Sequence, residues 1–450
     1  MKKLLLCGLF MTALCMGTQA QWIRVWKAGE SIRYAVSDAA TIPYATAGAT
    51  LTIGGDAYST AEIDSITIVN PITIAWTENG ATVDIPESVE GVTATINGGN
   101  VTIDNINTWS EQEIILSGTS SAGSLTYNGD YKAKFHLNGV NLTSSSGAAI
   151  DIQCGKRIDL IVEEGTINTI IDAAGGEQKA AFYCRGHIEA SGGGALTVQG
   201  NTHHAFASKE YLFLKKSFGT LNIAGAAADG IHCGEYFLMN GGTIAVNNIS
   251  GDGLQVETDD ESDELENGTF VMNGGYINIT MATADTKGIR LDANDLVPSL
   301  VPQMYLYGGT ITVTMATTAT DSKAIASDGD MTIGDGQNGP DITINMNAVG
   351  YKDGTTAEKI RSTGLKVGKS DENNNYGYSG DFLLQGGNVT INATGAYSRG
   401  MNTNNFTATG GLLSVIAPRT GSNIQGIKYA GTRTGDTYVK FQYCGWKTSE

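Results

Sequence analysis

The chain has 450 residues, of which only 16% are charged and 59 are Gly. Its acidic residues outnumber Lys and Arg by 46 to 28, so the formal net charge is −18 at pH 7. A chain this acidic repels nucleic acid and anionic membrane surfaces, and it suits divalent cations or neutral partners. Low charge density with many β-branched residues favours a large all-β protein over a disordered one.

Residues 1–20 are typical of a signal peptide. Lys2 and Lys3 precede an apolar core at residues 4–16, which is too short to span a bilayer, and Ala20 is a small residue suited to cleavage. We therefore expect an exported protein, either secreted or held at the cell surface or in the periplasm. No later stretch is long and apolar enough to predict a membrane span.

Residues 21–70 predict a small N-terminal β unit. Short alternating runs such as Trp22–Trp26 and Ile32–Val36 are separated by polar turns. Some fifty residues make only a small core. We expect this unit to lead into the following domain or to cover its first coil, because an open coil end exposes unpaired backbone.

Residues 71–450 are organised by two recurring phrases. The first is a Gly-Gly turn with a short alternating strand, as in Gly241–Val246, Gly274–Ile279 and Gly308–Val313. The second places Gly or Ala before an apolar residue at 205, 230 and 253. A period of about 24 residues is typical of units that bury their apolar faces by stacking. We predict a parallel β-helix, with two strands and two Gly turns in each coil.

Several phrases, in their order along residues 72–430, resemble a bacterial carbohydrate-binding domain family. Those that carry the resemblance include Leu137–Val140, Gly147–Ile150, Ala228–Ile231 and Gly251–Leu254. That family is built as a right-handed parallel β-helix, and its studied example binds cellulose and polygalacturonate and carries calcium. The resemblance implies an all-β, single-stranded right-handed parallel β-helix, or solenoid, with a small N-terminal β unit.

The same resemblance implies the function. It points to a non-catalytic protein that binds a plant or microbial polysaccharide, a polyuronate or a glucan, with the help of calcium. We separately expect a monomer. Later coils depart from the Asp-Gly-Ile pattern of the family, since Lys287, Lys323 and Arg399 precede the small residue there.

Four acidic residues are candidate calcium ligands. Asp229 and Asp252 hold one repeat position in adjacent coils, so we expect their carboxylates about 5 Å apart. Asp259 and Asp260 follow in the next loop and supply further oxygens of the kind that Ca²⁺ prefers. Alternatively, Asp229 and Asp252 accept hydrogen bonds from backbone amides at the Gly turn, and the loop is merely solvated.

Three rings are candidate carbohydrate-binding residues. Tyr211 and Tyr236 are equivalent in neighbouring coils, and His187 falls in the same column one coil earlier. Stacked rings along a β surface suit sugar binding. The alternative is a side-chain ladder that only stabilises the coil stack.

Two other functional classes share this fold. A polyuronate lyase would need a Lys or Arg base beside a calcium site, and we expect no aspartate cluster around Lys287, Arg290, Lys323 or Arg399. A surface adhesin or structural protein fits the export signal equally well. A transition-metal site of His203, His204 and His232 is disfavoured, because adjacent residues point to opposite sides of a strand.

The cysteines are expected to be packing residues. Cys184 and Cys233 share a repeat position two coils apart, with Ser208 between them, and roughly 9.6 Å is too far for a disulfide. The sequence leaves open whether Cys154 pairs with Cys184.

Overall fold

The computed structural model describes residues 22–28, 30–35, 44–45, 50–260, 262, 265–352, 359–369, 380–418 and 423–448. The predicted signal peptide lies outside this part of the chain. Within it, no helix is long and apolar enough to cross a membrane.

The chain forms two compact units, and the first runs to Ile72 and includes Ile85–Val89. β1, β2 and β6 form one antiparallel sheet, and β3, β4 and β5 form another. Its small core contains Ile23, Val25, Ile53 and Tyr58. The strands are β1 (Trp22–Lys27), β2 (Glu30–Ala35), β3 (Tyr44–Ala45), β4 (Thr50–Ile53), β5 (Asp56–Ser59) and β6 (Ser65–Val69).

The second unit is an all-β solenoid whose coils repeat a pattern of three strands. In the regular coils each strand pairs in parallel with its equivalent one coil away. We name the resulting sheets A, B and C.

Among the described residues, sheet A has fourteen strands. They are β9 (Val92–Asn97), β10 (Gly99–Asn105), β12 (Gly123–Gly129), β14 (Ile150–Gln153), β17 (Ala180–Cys184), β20 (His204–Ser208), β23 (Ile231–Cys233), β26 (Leu254–Glu257), β29 (Lys287–Asp292), β32 (Lys323–Ser327), β37 (Thr363–Val367), β40 (Arg399–Thr403), β43 (Gln425–Tyr429) and β46 (Trp446–Thr448).

Sheets B and C start from common strands. These are β7 (Ile72–Thr77), β8 (Gly80–Asp84), β11 (Gln112–Ser120) and β13 (Ala133–Thr143). Sheet B continues with β15 (Ile158–Val162), β18 (Ile188–Ser191), β21 (Leu212–Leu214), β24 (Tyr236–Met239), β27 (Thr269–Met272), β30 (Gln303–Leu306), β33 (Asp330–Ile333), β38 (Asp381–Leu384), β41 (Asn405–Ala408) and β44 (Arg433–Thr434).

Sheet C continues with β16 (Ile167–Ile171), β19 (Ala195–Gly200), β22 (Thr220–Ala226), β25 (Thr243–Val246), β28 (Tyr276–Met281), β31 (Thr310–Met315), β34 (Asp341–Met346), β39 (Asn388–Ala393), β42 (Leu412–Ile416) and β45 (Val439–Gln442). The long strand β13 joins the two sheets, because its first half pairs with β15 and its second half with β16. A two-stranded hairpin of β35 (Tyr351–Lys352) and β36 (Lys359–Ile360) lies apart from these sheets, and Asp436–Tyr438 forms a single 3-10 turn.

The fold class agrees with the sequence-based prediction, but the number of strands in each coil does not. The prediction of two strands in each coil is wrong, because a short third strand in sheet B, such as β21 or β24, lies between the two phrases. These strands bury only two side chains each, so their apolar signal is weak. The handedness of the coil stays a prediction.

The second phrase marks the entry into sheet A, and its members are in register as predicted. Phe206 pairs with Ile231, which pairs with Leu254. A Cβ atom on Gly253 would lie 2.5 Å from the carbonyl oxygen of Gly288 in the next coil. Close backbone approach therefore explains why this position holds only small residues.

The core of the second unit consists of inward-facing columns. Phe182 stacks on Phe206 with ring centroids 4.8 Å apart. In the adjacent column Cys184 pairs with Ser208, which pairs with Cys233. The prediction that Cys184 and Cys233 are not bridged is confirmed, and Cys154 is also free and buried.

Aromatic residues cover the C-terminal end of the second unit. The ring of Trp446 lies 4.9 Å from that of Phe406 and 5.3 Å from that of Phe441. The guanidinium of Arg433 lies 4.7 Å from the centre of the Trp446 ring. This cluster packs side chains of the last three strands against β41 at the C-terminal end of the second unit.

Candidate functional site

The outer face of sheet A carries two adjoining clefts, of about 430 and 540 Å³. Both are lined by Lys179, Tyr183 and Lys209, so together they form one groove, which we call the sheet-A groove. Its floor follows successive strands, because Asp151 pairs with Tyr183 and Ala207 pairs with His232. The groove therefore runs across several coils rather than along one strand.

Asp229 and Asp252 each occupy the turn that leads into sheet A. Oδ1 of Asp229 accepts a hydrogen bond from the Asp252 N–H at 2.7 Å, and Oδ1 of Asp252 accepts one from the Lys287 N–H at 2.7 Å. Both residues are buried. The alternative interpretation, in which these carboxylates bond backbone amides, is thus what the structure shows.

The second carboxylate oxygen of each residue contacts a side chain. Oδ2 of Asp252 accepts a hydrogen bond from the Arg290 guanidinium at 3.2 Å. Oδ2 of Asp229 lies 3.2 Å from Nδ1 of His204 and 3.2 Å from Nδ1 of His232. Calcium at this pair stays a prediction, and any cation there would compete with these protein partners.

His204, Asp229 and His232 form a compact cluster at the wall of the groove. One candidate ligand atom from each lies within 4.8 Å of the other two. The two imidazole rings are stacked, with centroids 4.4 Å apart. On its other side, Nε2 of His232 lies 3.6 Å from a carboxylate oxygen of Glu257.

The charges in this cluster are set by burial and by the shared carboxylate. Burial lowers the pKa of His204 below its ordinary value, and the hydrogen bond with Asp229 offsets only part of that effect. Burial also opposes the charge on His232, but Asp229 and Glu257 raise its pKa to about 9. Burial alone would raise the pKa of Asp229, yet the two histidines hold it well below its usual range. At neutral pH the cluster therefore holds one carboxylate, one imidazolium and one neutral imidazole.

The predicted ligands Asp259 and Asp260 lie at the same end of the groove. Both line it, and Oδ1 of Asp260 accepts a hydrogen bond from the Asn294 amide at 3.3 Å. The main chain of Asp259 is fixed by Asn267, whose amide donates to the Asp259 carbonyl at 2.7 Å. The structure thus gathers Asp259, Asp260 and the histidine cluster around one cleft, whereas the Asp252 carboxylate is turned toward Arg290.

The predicted ring column exists, and it is a stack. His187 lies on Tyr211 with centroids 4.2 Å apart, and Tyr211 lies on Tyr236 at 4.4 Å. Nδ1 of His187 is 2.6 Å from a carboxylate oxygen of Glu210, which fixes the end of the stack. Because the rings cover one another, a sugar would meet their edges rather than the faces of Tyr211.

Basic side chains concentrate on the outer face of the later strands of sheet A. Arg290, Lys366 and Lys428 share one outward column, with Ala326 and Asn402 at the positions between them. Burial, together with repulsion from Arg399, lowers the pKa of Lys366 to about 7.

The expectation that no cluster of aspartates surrounds Arg290 is wrong. Its guanidinium contacts Asp292, two residues away, at 2.7 Å and Asp252, one coil earlier, at 3.2 Å. Burial and a hydrogen bond with Asp328 raise the pKa of Asp292 to about 7. Sequence reasoning missed this acidic pair, although Asp292 and Asp328 follow the paired residues Leu291 and Ser327 and so hold one repeat position in adjacent coils.

The histidine cluster was only partly foreseen. Sequence reasoning grouped His204 with His203 and His232 and disfavoured a metal there, whereas the structure joins His204 and His232 through Asp229, 25 positions after His204 in the chain. That separation is one full coil, and His232 follows Asp229 across the turn. The repeat period contained this signal.

The class of the protein follows from comparison with known families. Residues 97–349, more than half of the chain, match the family model described as carbohydrate-binding domain-containing protein. The chain therefore belongs to this carbohydrate-binding family. The matched segment includes the sheet-A groove, the histidine cluster and the ring stack.

Among solved structures, the chain is similar to one described as the polysaccharide lyase-like protein from C. thermocellum, gadolinium derivative. The two chains share 21% identity over 62% of this chain and 92% of the other, with a TM-score of 0.39. We draw no functional conclusion from a similarity at this level. No curated protein matches the chain.

Proposed function

We propose that this chain is an exported, non-catalytic polysaccharide-binding protein whose ligand lies along the sheet-A groove. The observation that carries the proposal is the groove itself, which crosses successive coils within the segment that defines the carbohydrate-binding family. A groove open to solvent suits an extended polymer better than a small molecule, which favours an enclosed pocket. The N-terminal segment, typical of a signal peptide, supports export.

A polyuronate is the ligand that the charge distribution favours. The chain is acidic as a whole, so an acidic polymer would be repelled by most of its surface. The groove, however, presents Lys179 and Lys209 where its two clefts meet, with Arg185 in the first cleft, which Asp151 and Glu177 also line. Lys366 and Lys428 lie further along the same face of sheet A. These lysines and Arg185 are the cations that would contact carboxylates of a polymer.

Calcium assistance is part of the proposal at the Asp259 and Asp260 end of the groove. Their side chains line the cleft, where oxygens from a bound sugar would complete a site for a hard cation. Asp229 and Asp252 are weaker candidates, because their carboxylate oxygens already accept hydrogen bonds from backbone amides and contact basic side chains.

The test is retention of the full chain on immobilised polygalacturonate and on cellulose. The double variant Lys179→Ala/Lys209→Ala should lose most of its retention on polygalacturonate, and the loss should shrink as salt is raised. The matched control is Lys216→Ala, because Lys216 is also an exposed lysine but lies between sheets B and C. Equal retention of both variants would contradict the proposed surface.

Chelation tests the calcium step. After EDTA treatment and dialysis, retention on polygalacturonate should fall and should return when Ca²⁺ is added. Unchanged retention after chelation would remove calcium from the proposal and leave the basic residues as the determinants. Binding to no polysaccharide, but to a host protein, would favour the adhesin.

A polyuronate lyase is the second candidate, and Lys366 is the observation that favours it. With its pKa lowered to about 7, a large fraction of its amines are neutral at neutral pH and able to accept a proton. Arg399 and Lys428 lie near enough to influence its charge and would stabilise an acidic substrate. Release of unsaturated uronate from polygalacturonate, abolished by Lys366→Met, would establish this function, whereas its absence supports a binding protein.

A further inference from the structure

The cluster of His204, Asp229 and His232 has the atoms and the spacing of a transition-metal site. A tetrahedral Zn²⁺ ion with bonds of about 2.0–2.2 Å holds its ligand atoms roughly 3.3–3.6 Å apart. Oδ2 of Asp229 lies 3.2 Å from Nδ1 of each histidine, and all three atoms fall within 4.8 Å of one another. We propose that these three residues bind a divalent transition-metal ion of the zinc type.

The donor set distinguishes this ion from calcium. Calcium takes six to eight oxygen ligands and is poorly served by imidazole nitrogen, whereas zinc binds two nitrogens and one carboxylate oxygen well. The cluster supplies two nitrogens and a single carboxylate, whose candidate ligand atoms lie within 4.8 Å of one another. The proposed ion therefore differs in kind from the calcium predicted nearby.

The surroundings orient the ligands in the way metal sites require. Nε2 of His232 faces Glu257 at 3.6 Å, which leaves Nδ1 directed at Asp229. Oδ1 of Asp229 is held by the Asp252 N–H at 2.7 Å, so Oδ2 is the oxygen that points between the rings. A carboxylate on the outer nitrogen of a ligating histidine, and a hydrogen bond on a ligating carboxylate, are usual outer-shell contacts of bound metals.

The hydrogen bonding of His204 is also compatible with metal binding. Its Nδ1 accepts a hydrogen bond of 3.2 Å from the Asp229 N–H, so this nitrogen carries no proton, and an ion would replace that N–H as its partner. On His232, an ion would take the place of the proton shared with Asp229. Burial disfavours the isolated charges here, and a divalent ion would neutralise the carboxylate without a buried imidazolium.

The fourth coordination position faces the sheet-A groove. His204 and His232 both line the cleft, whereas Asp229 approaches from beneath. A site with three protein ligands and one open position takes a water molecule or an oxygen from a ligand in the cleft. The ion would then sit at one end of the proposed binding surface.

The experiment is a calorimetric titration of the full chain, expressed without a polyhistidine tag and stripped with EDTA, in the absence of polysaccharide. We expect ZnCl₂ to bind with one ion per chain and Co²⁺ to give the visible absorption of a tetrahedral site. His204→Ala and His232→Ala should each abolish binding, and Glu257→Gln should weaken it about 10-fold. His203→Ala removes the neighbouring exposed imidazole and should leave binding unchanged.

Thermal unfolding guards against misfolded variants. Zinc should raise the Tm of the parent chain and of His203→Ala, but should not raise that of a folded His232→Ala variant. Absence of zinc binding by the parent, or binding that survives both histidine substitutions, would overturn the proposal. Displacement of zinc by a modest excess of Ca²⁺ would overturn it as well and identify an oxygen site. Because no polysaccharide is present, these outcomes are independent of the proposed function.

Discussion

Oδ1 of Asp229 accepts a hydrogen bond from the backbone N–H of Asp252, one coil further along, at 2.7 Å. Asp252 repeats the contact with the N–H of Lys287 in the following coil. These carboxylates therefore tie three successive turns together where the chain enters sheet A.

Asp252→Ala should accordingly destabilise the second unit. It removes a charge-assisted bond and leaves the N–H of Lys287 and the guanidinium of Arg290 without this acceptor, at a cost of about 1–3 kcal/mol. Urea denaturation measures the loss. Asp260→Ala, which removes an exposed carboxylate from the groove, is the control and should cost less than about 0.5 kcal/mol. Equal stability of the two variants would contradict the structural role.

Gly253→Val tests the close approach of the coils. The added Cβ would lie 2.5 Å from the carbonyl oxygen of Gly288, so backbone must shift. We expect a loss of about 2–4 kcal/mol or failure to fold. Gly155→Ala is the control, since no atom lies within 4 Å of a Cβ there. Comparable Tm values for the two variants would show that the coils have room at Gly253.

Tyr211 tests whether the ring stack is structural. Tyr211→Ala removes the ring between His187 and Tyr236 and should cost about 1–3 kcal/mol. Tyr211→Phe keeps the stack and should retain most of the stability, with polysaccharide retention unchanged. Chemical denaturation and the retention assay provide the two measurements. Strongly reduced retention by a stable Tyr211→Phe variant would instead make the hydroxyl a sugar contact.

The raised pKa of Asp292 leads us to expect that the stability of the protein depends on pH. Its pKa is raised to about 7, whereas an unfolded Asp titrates near 3.9, so the folded chain holds the proton more tightly. The stability it contributes is complete below about pH 4 and is lost as the pH rises through about 7. Asp292→Asn, which imitates the protonated form, should remove this component.

The difference in unfolding free energy between Asp292→Asn and the parent should therefore shift in favour of the variant between pH 5 and pH 7.5. After allowance for solvent screening, we expect a shift on the order of 1 kcal/mol. Urea denaturation at several pH values measures it. A constant difference across this range would mean that Asp292 is ionised throughout.

The sequence predicted the parts of the fold that depend on a regular period. Phe206, Ile231 and Leu254 follow one another at steps of 25 and 23 residues, close to the period of about 24 residues, so their register was foreseeable. The third strand of each coil was not, because Leu212–Leu214 has only three residues and leaves little alternation to detect.

In the candidate site, too, some contacts were predicted from the sequence and others were not. The stack of His187, Tyr211 and Tyr236 was predictable, because its members occupy equivalent positions. The convergence of His204 on Asp229 was not predicted, although the two residues hold one repeat position in adjacent coils, because sequence reasoning grouped His204 with the other histidines. The contact of Asp292 with Asp328 was also open to prediction, because the two residues follow the paired residues Leu291 and Ser327 and so hold one repeat position in adjacent coils.

The coil stack also has a consequence for a ligand that is itself a repeating chain. Outward positions of sheet A recur at a step of about 4.8 Å, so the surface has a regular spacing along the coil stack. The side chains at these positions differ, however. One column presents Tyr183, then Ala207, His232, Gln255 and Arg290. If a polymer of identical sugars shifted by one strand spacing, each sugar would contact a different side chain. Such a surface holds its ligand in one alignment and one direction instead of letting it slide.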